Sequence, residues 1–448
     1  MSEITMSIDP NFAGGGILML LVMLAGFAAM TFRNVSQPLA MSLVACVCLA
    51  LQGRDAEQVL RAGFTHFSDI VVAFTAVAIP AHMIDRSRAF LWLLGQAGGR
   101  LGDLALVRQN SVTPSVTSLL LLVTYALAAV AHNTTAILVM TPIAIQLCSP
   151  FRIPTRFVLC GMLVASNLGG FSTGWGDTPN LIQGRVWSLD NAAFIREILP
   201  LNLCVLAVLC VIVAYLTQRH ARISGTGLAG MSDEQVVVRS VGMEQYFSSY
   251  TVIDRRLLVT GLVSLGAFIT LQVLFPPYQV MIGVATIAAT VALERPAHRL
   301  STLQSLGFEC YIVFAAVFTL SGAVEHSWIG HTLQGMVAKA NAAPWMIVLT
   351  GYLGTSSTEA ASWAAAVAPA IHQLDPSHTT AWSLGAGICA GSSSLITAAS
   401  AGIILATESN RFKSGDHQIT FRTYLPFGIG FSVFMTVFYT VILSIVPY

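Results

Sequence analysis

Charge is what this chain has least of. Asp, Glu, Lys and Arg make up 10% of its 448 residues, where a soluble globular domain carries about 25%. The 22 basic and 21 acidic side chains nearly cancel, and no basic face builds up that would hold a nucleic-acid backbone. Cysteine is present but unpatterned: the eight residues form no CxxC and no Cys/His metal spacing, and nearly all fall in apolar runs, as small buried hydrophobes do. There is no Walker lysine loop, no metal cluster and no nucleophile constellation. Chemistry on a substrate, ATP drive within the chain and any cofactor beyond a coupling ion are therefore not expected. No polar stretch is long enough for a second, soluble domain. The first apolar run lacks a basic n-region, so no cleaved signal peptide is expected.

What the chain has instead is hydrophobic residues, 55% of the total, with a mean hydropathy of +0.73. Runs long enough to span a bilayer, on the order of 20 residues, recur from end to end. They lie near 15–32, 38–53, 69–85, 114–148, 156–183 and 197–217, then near 255–275, 278–294, 309–325, 342–372, 381–408 and 423–447. The fold class this predicts is an all-α polytopic membrane protein. The stretch 218–254, the longest polar connector, is expected to be a solvated linker.

Segments 114–148 and 342–372 exceed one span at about 1.5 Å per residue. Each carries a polar patch near its middle: His132, Asn133, Thr134 and Thr135 in the first, Ser356, Ser357, Thr358 and Glu359 in the second. Both read as re-entrant hairpins that return to their starting side. Each half, 1–217 and 255–448, then has five net crossings, and an odd number inverts the second half relative to the first. Assigning every Lys and Arg to a side by this count places 17 on one side and 5 on the other, Arg54, Arg61, Arg185, Arg196 and Lys339. The positive-inside rule makes the first side cytoplasmic, with the linker inside and both termini outside. A gapless internal repeat supports duplication: HFSDIVVAFTAVAIPAHMIDRS aligns with GFECYIVFAAVFTLSGAVEHSW, matching Asp69 to Glu309 and Asp85 to Glu325. These acids sit at span ends, either as interfacial charges or as parts of an ion pathway.

Two further segments carry polar, glycine-rich breaks: ASNLGGFSTGWGDTPN within 156–183 and AGSSSLITAAS within 381–408. Lipid cannot pair with bare backbone, so unwound chain at membrane depth survives only where it lines a protected polar cavity. Interrupted helices at matching positions of two halves point to a transporter's binding site. Helix half-ends offer N–H groups to an anion and C=O groups to Na⁺. Asn133, Thr134 and Thr135, then Asn167, Ser172 and Thr173, would complete such a shell, as would Ser356, Ser357 and Thr358, with Ser392, Ser393, Ser394 and Thr397. Any one of these hydroxyls equally suits helix–helix packing. Asp177 follows two glycines and precedes Pro179. It either binds a cation or proton at midplane or caps the following half-helix. Glu359 is the one acid of segment 342–372 and a second candidate. His132 reads more readily as a structural histidine than as a pH sensor.

HNTTAILVMTP resembles the SNT…P hairpin tip of the divalent anion/sodium symporters, and ASNLGGFSTGWGDTPN resembles the NxGG…GDxPN break of the ion transporter superfamily. That superfamily includes arsenite permeases, citrate and dicarboxylate carriers and bacterial sodium/proton antiporters. AGSSSLITAASAGIILA resembles the matching second break, and the likeness runs from about Asp69 to Ser409. The resemblance implies two inverted repeats, a scaffold–transport division, elevator-type movement and a homodimer in the bacterial inner membrane. By motif it implies ion and substrate contacts at Asn133, Thr134 and Thr135, at Asn167, Gly169, Thr178, Pro179 and Asn180, and from Ser392 to Thr397, with Na⁺ at Asn133, Asn167 and Asp177. The second tip, TSSTEAASW, departs from the pattern: it lacks the Asn and carries Glu359, leaving no motif for a second Na⁺ site. The acid of GWGDTPN matches the arsenite, citrate and antiporter branches and leaves room for protons as the coupling ion. The function implied is secondary transport of a small anion, a di- or tricarboxylate, coupled to Na⁺ or H⁺. The alternatives are a Na⁺/H⁺ antiporter and the membrane subunit of a binding-protein-dependent complex.

Overall fold

In a solvent that cannot hydrogen-bond, an apolar run is stable only when its backbone pairs with itself, and a helix does this within one segment. A computed structural model describes residues 10–32, 37–64, 67–89, 109–149, 152–174, 176–224, 253–275, 278–304, 343–412 and 417–446, with scattered residues between 311 and 335. Among these there is helix and no strand. Three helices are long and apolar enough to cross a membrane, within Thr113–Val130, Asn191–Ile223 and Phe421–Ile445, and shorter apolar helices accompany them.

The first half opens with α1 (Pro10–Phe32), α2 (Gln37–Leu51), a short α3 (Ala56–Phe64) and α4 (Phe67–Arg86). Helices α5 (Gln109–Ala131) and α6 (Asn133–Cys148) divide one long apolar segment, and α7 (Thr155–Phe171) and α8 (Thr178–Val186) divide the next. A five-residue π turn, Phe194–Ile198, leads into α9 (Leu199–Ile223). The second half has α10 (Arg255–Leu274), α11 (Gln279–Leu293) and α12 (Pro296–Gln304). Then α13 (Pro344–Ser357) and α14 (Ala360–Leu374), α15 (His378–Ser392) and α16 (Ser400–Arg411) again divide two segments, before α17 (Phe421–Ile445). Of the expected linker 218–254, residues 225–252 lie outside the described residues, as do most of segment 309–325, Lys339, Glu309 and Glu325. Asp69 and Asp85 are on α4, with side chains outside the described residues.

The ends follow local chemistry. Asp254 caps α10 by accepting the N–H groups of Arg256 and Leu257, and Ser377 caps α15. Thr420 and Thr423 form a reciprocal capping box at the start of α17. Packing then uses small residues. A Cβ on Gly351 of α13 would lie 3.1 Å from both Gly387 Cα and Leu384 O of α15, so these helices touch through backbone. Outward faces of α10 and α11 carry exposed Val259, Leu262 and Val263, then Met281 and Val284. Apolar side chains facing out is the pattern a bilayer demands, and the protein is membrane-embedded.

Candidate functional site

All four divided segments stop at polar residues, and these stops meet. At the first, His132 has φ 79°, a left-handed backbone that a non-glycine residue holds at a cost of about 1–3 kcal/mol. This turn swings Asn133 toward the break between α7 and α8. The Asn133 N–H donates to Gly176 O (3.2 Å) and its Nδ2 donates to Asp177 Oδ2 (2.8 Å). Asp177 Oδ1 accepts the Thr178 N–H (2.8 Å), and Asp177 is the N-cap of α8, with Pro179 in the first turn. His132 Nδ1 bonds Thr134 Oγ1 (3.0 Å), while its Nε2 lies 3.9 Å from Asp177 Oδ1. Of the two readings of Asp177, the cap of the half-helix is in place, and its second oxygen is held at the hairpin tip by Asn133.

The break itself is fastened by Asn180, whose Nδ2 donates to Gly170 O and Thr173 O, each at 2.8 Å. Thr173 Oγ1 donates to Ala129 O of α5 (2.7 Å). Gly176 has no room for a side chain: a Cβ there would lie 2.5 Å from Gly170 O and 2.6 Å from Thr173 Oγ1. Gly169 packs its bare face on the Tyr125 carbonyl.

A second set of contacts crosses between halves. Asn167 Nδ2 donates to Ser393 Oγ (3.1 Å), joining α7 to the turn after α15. Ser394 Oγ and Ser356 Oγ are 2.7 Å apart, joining that turn to the end of α13. Glu359 is buried between α13 and α14, where its Oε2 accepts the Ala361 N–H (2.9 Å), and its charge is within Coulombic reach of Asp177. Thr397 is buried in the second break. Ser357 and Thr358 do not join: their hydroxyls bond back to Leu353 O and Gly354 O of their own helix. Ser172 belongs to a buried brace of Tyr125, Asn202 and Tyr439 behind the break, with Tyr125 Oη 2.7 Å and Asn202 Nδ2 2.8 Å from its Oγ.

What remains unused is oxygen. Asn133 Oδ1, Thr135 Oγ1, Asn167 Oδ1, Thr355 Oγ1 and Ser392 Oγ are buried and bond nothing among the described residues. A buried polar atom without a partner costs about 1–3 kcal/mol, so these oxygens at the helix stops are available to ordered water or a ligand. An all-oxygen set suits a hard cation such as Na⁺, and the N-terminal turn of α6 offers N–H groups to an anion, whereas in α8 Asp177 already takes the Thr178 and Asn180 N–H groups and Pro179 has none. Among the described residues no group of three or more His, Cys, Asp or Glu gathers to hold a metal ion. Sequence reasoning missed Tyr125, Asn202 and Tyr439, and also Gln183 of α8, which is fully buried with both amide atoms unpaired among the described residues. A Gln inside the apolar run LIQGRVW was the available signal.

The family model described as citrate transporter (CitMHS) matches residues 17–390. Magnetosome protein MamN of Paramagnetospirillum magneticum is 25% identical over 444 residues, covering 92% of this chain and 95% of its own. The 46 kDa membrane protein of Mycobacterium leprae is 25% identical over 70% of this chain and 73% of its own length. Uncharacterized transporter Rv2685 of Mycobacterium tuberculosis is 24% identical over 67% of this chain and 71% of its own. The chain belongs to the citrate transporter family, a family of transporters and not of enzymes.

Proposed function

We propose that this member of the citrate transporter family is a secondary active transporter that moves a small di- or tricarboxylate across the membrane, coupled to Na⁺ or H⁺. The observation that carries the reading is the set of partnerless buried oxygens at the meeting helix stops, beside Asp177. Asn133, Asn167 and Asp177 offer a cation its oxygen ligands, and the N-terminal turn of α6 offers the solute carboxylates its N–H groups. The matching divisions of α5/α6 with α13/α14, and of α7/α8 with α15/α16, support two inverted repeats, with re-entrant hairpins at 114–148 and 342–372. Elevator-type movement and a homodimer are what the family resemblance implies for such a transporter.

The test is uptake by purified protein in proteoliposomes. Citrate or a dicarboxylate should accumulate when an inward Na⁺ or H⁺ gradient is imposed, and an uncoupler of that gradient should abolish accumulation. No accumulation of any di- or tricarboxylate under either gradient would overturn the reading. A second reading, Na⁺/H⁺ antiport, is favoured by the two acids at the helix stops, Asp177 at the start of α8 and the buried Glu359 between α13 and α14. It requires that Na⁺ alone, without carboxylate, change the internal pH of the vesicles.

A further inference from the structure

Away from the helix stops, the ends of α4 and α11 and the starts of α10 and α12 surround a small cleft, partly open to solvent. Its polar lining is Arg86, Asp254, Arg256, Glu294, Arg295 and His298. Both acids are committed to the fold. Asp254 caps α10, and the buried Glu294 accepts from Arg86 (3.1 Å) and from Thr302 Oγ1 (2.7 Å). The arginines are not neutralised in the same way. Arg256 donates to Leu293 O (3.2 Å) and Arg299 to Ala292 O (2.8 Å) and Glu294 O (3.2 Å), all carbonyls at the end of α11. A carbonyl takes one of a guanidinium's five N–H groups and leaves its charge intact. Among the described residues no acid pairs with Arg256, Arg295 or Arg299. With Arg86, Arg256 and Arg295 against Asp254 and Glu294, the cleft keeps a net positive charge, and Arg256 and Arg295 are guanidinium groups without an acid partner among the described residues, a group suited to phosphate.

Its position selects the source of that phosphate. Val259, one turn into α10, and Leu293, at the end of α11, are 57% and 55% exposed, so the charged cleft lies where an apolar outer surface ends. That is the depth of the headgroups, and a lipid would lay its acyl chains on these residues while its phosphate entered the cleft. A free anion would have no use for the apolar flank. We propose that this cleft is a binding site for the phosphate of an anionic phospholipid. The inference is independent of what is transported.

Native mass spectrometry of the purified protein in mild detergent, with added phosphatidylglycerol or phosphatidylcholine of equal chain length, tests it. Wild type should retain phosphatidylglycerol preferentially. The double variant Arg256→Gln/Arg295→Gln should lose that preference by about tenfold or more, the scale of a lost charge-assisted bond. Arg256→Lys/Arg295→Lys should keep most of it. Arg219→Gln/Arg222→Gln, on the exposed last turn of α9, should behave as wild type. If the double variant misfolds, Arg295→Gln alone serves, because the exposed Arg295 side chain holds nothing among the described residues. Equal phosphatidylglycerol retention by wild type and a folded variant would overturn the site. Displacement of the lipid by millimolar inorganic phosphate, with no preference over phosphatidylcholine, would overturn the lipid and assign a free anion instead.

Discussion

Asp177 divides its two oxygens between two tasks, and this makes the residue separable by mutation. Oδ1 accepts the Thr178 N–H of its own half-helix and Oδ2 accepts Asn133 Nδ2 from the hairpin tip. Asn is a competent N-cap, so Asp177→Asn should fold and keep α8. It removes the charge that a coupling ion needs. Gradient-driven uptake should fall at least about tenfold, the effect of about 1.4 kcal/mol, while solute exchange, in which the ion need not be released, persists. Side-by-side assays in proteoliposomes decide it, and full ion-dependent uptake by the variant would move the coupling role to Glu359. Asn133→Ala strands Oδ2 and should weaken solute-induced thermal stabilisation roughly five- to 150-fold in apparent affinity, since such a contact is worth about 1–3 kcal/mol. Gln183 predicts the opposite sign for stability. With both amide atoms buried and unpaired among the described residues, Gln183→Leu should raise the melting temperature of the solute-free protein. A buried polar group replaced by an apolar one of similar shape sheds about 1–3 kcal/mol of desolvation cost. A lowered melting temperature would mean that the amide is satisfied by ordered water.

Among the elements, the interruptions were legible and their partners were not. Glycines, prolines and clustered small polar residues inside apolar runs mark where a helix must stop. The stops fall at His132, at Thr358 and Glu359, from 172 to 177 and from 393 to 399. Composition carries that signal locally. It carries nothing about which stop faces which, because Asn167 meets Ser393 across 226 positions and Tyr439 meets Asn202 across 237. Ser357 and Thr358 read as site residues by type but bond into their own helix, a choice made by rotamers. The amphipathic α3 was passed over because nine residues with a charged face give no span signal. The cleft beside α12 was equally hidden, since its arginines come from three separate stretches. One element-scale consequence is testable at Gly176. A methyl there meets Gly170 O at 2.5 Å and Thr173 Oγ1 at 2.6 Å, both backbone-anchored. Gly176→Ala should therefore spread the break between α7 and α8, lower stability by about 1–3 kcal/mol as overpacking does, and abolish uptake. A variant with wild-type melting temperature and uptake would show that the break has slack.

Taken whole, the molecule ties basic side chains from both halves of the sequence into the packing of its helices. Arg156, at the start of α7, donates to Thr423 O at the start of α17 (3.0 Å), and the Phe157 ring meets the His220 ring of α9 at 5.6 Å. His417 reaches Thr155 Oγ1 (3.1 Å), and Arg86 meets Glu294 (3.1 Å). At a different place Trp382 Nε1 and the exposed Arg196 converge on Glu197. The 17-to-5 division of basic residues read from the sequence predicts that residues 218–254 lie in the cytoplasm and both termini outside. In a background with the eight native cysteines replaced, Ile223→Cys, at a position 75% exposed in the last turn of α9, should resist an impermeant thiol reagent added to intact cells. Gln373→Cys, exposed at the end of α14, should label readily if, as the proposed topology requires, the second hairpin returns to the outer side. Permeabilising the cells should expose Ile223→Cys and leave Gln373→Cys unchanged. The reverse pattern would invert the protein in the membrane. Labelling of both from outside would do more damage: the chain segments between them would then contain an even number of crossings, and the inverted repeat itself would fall.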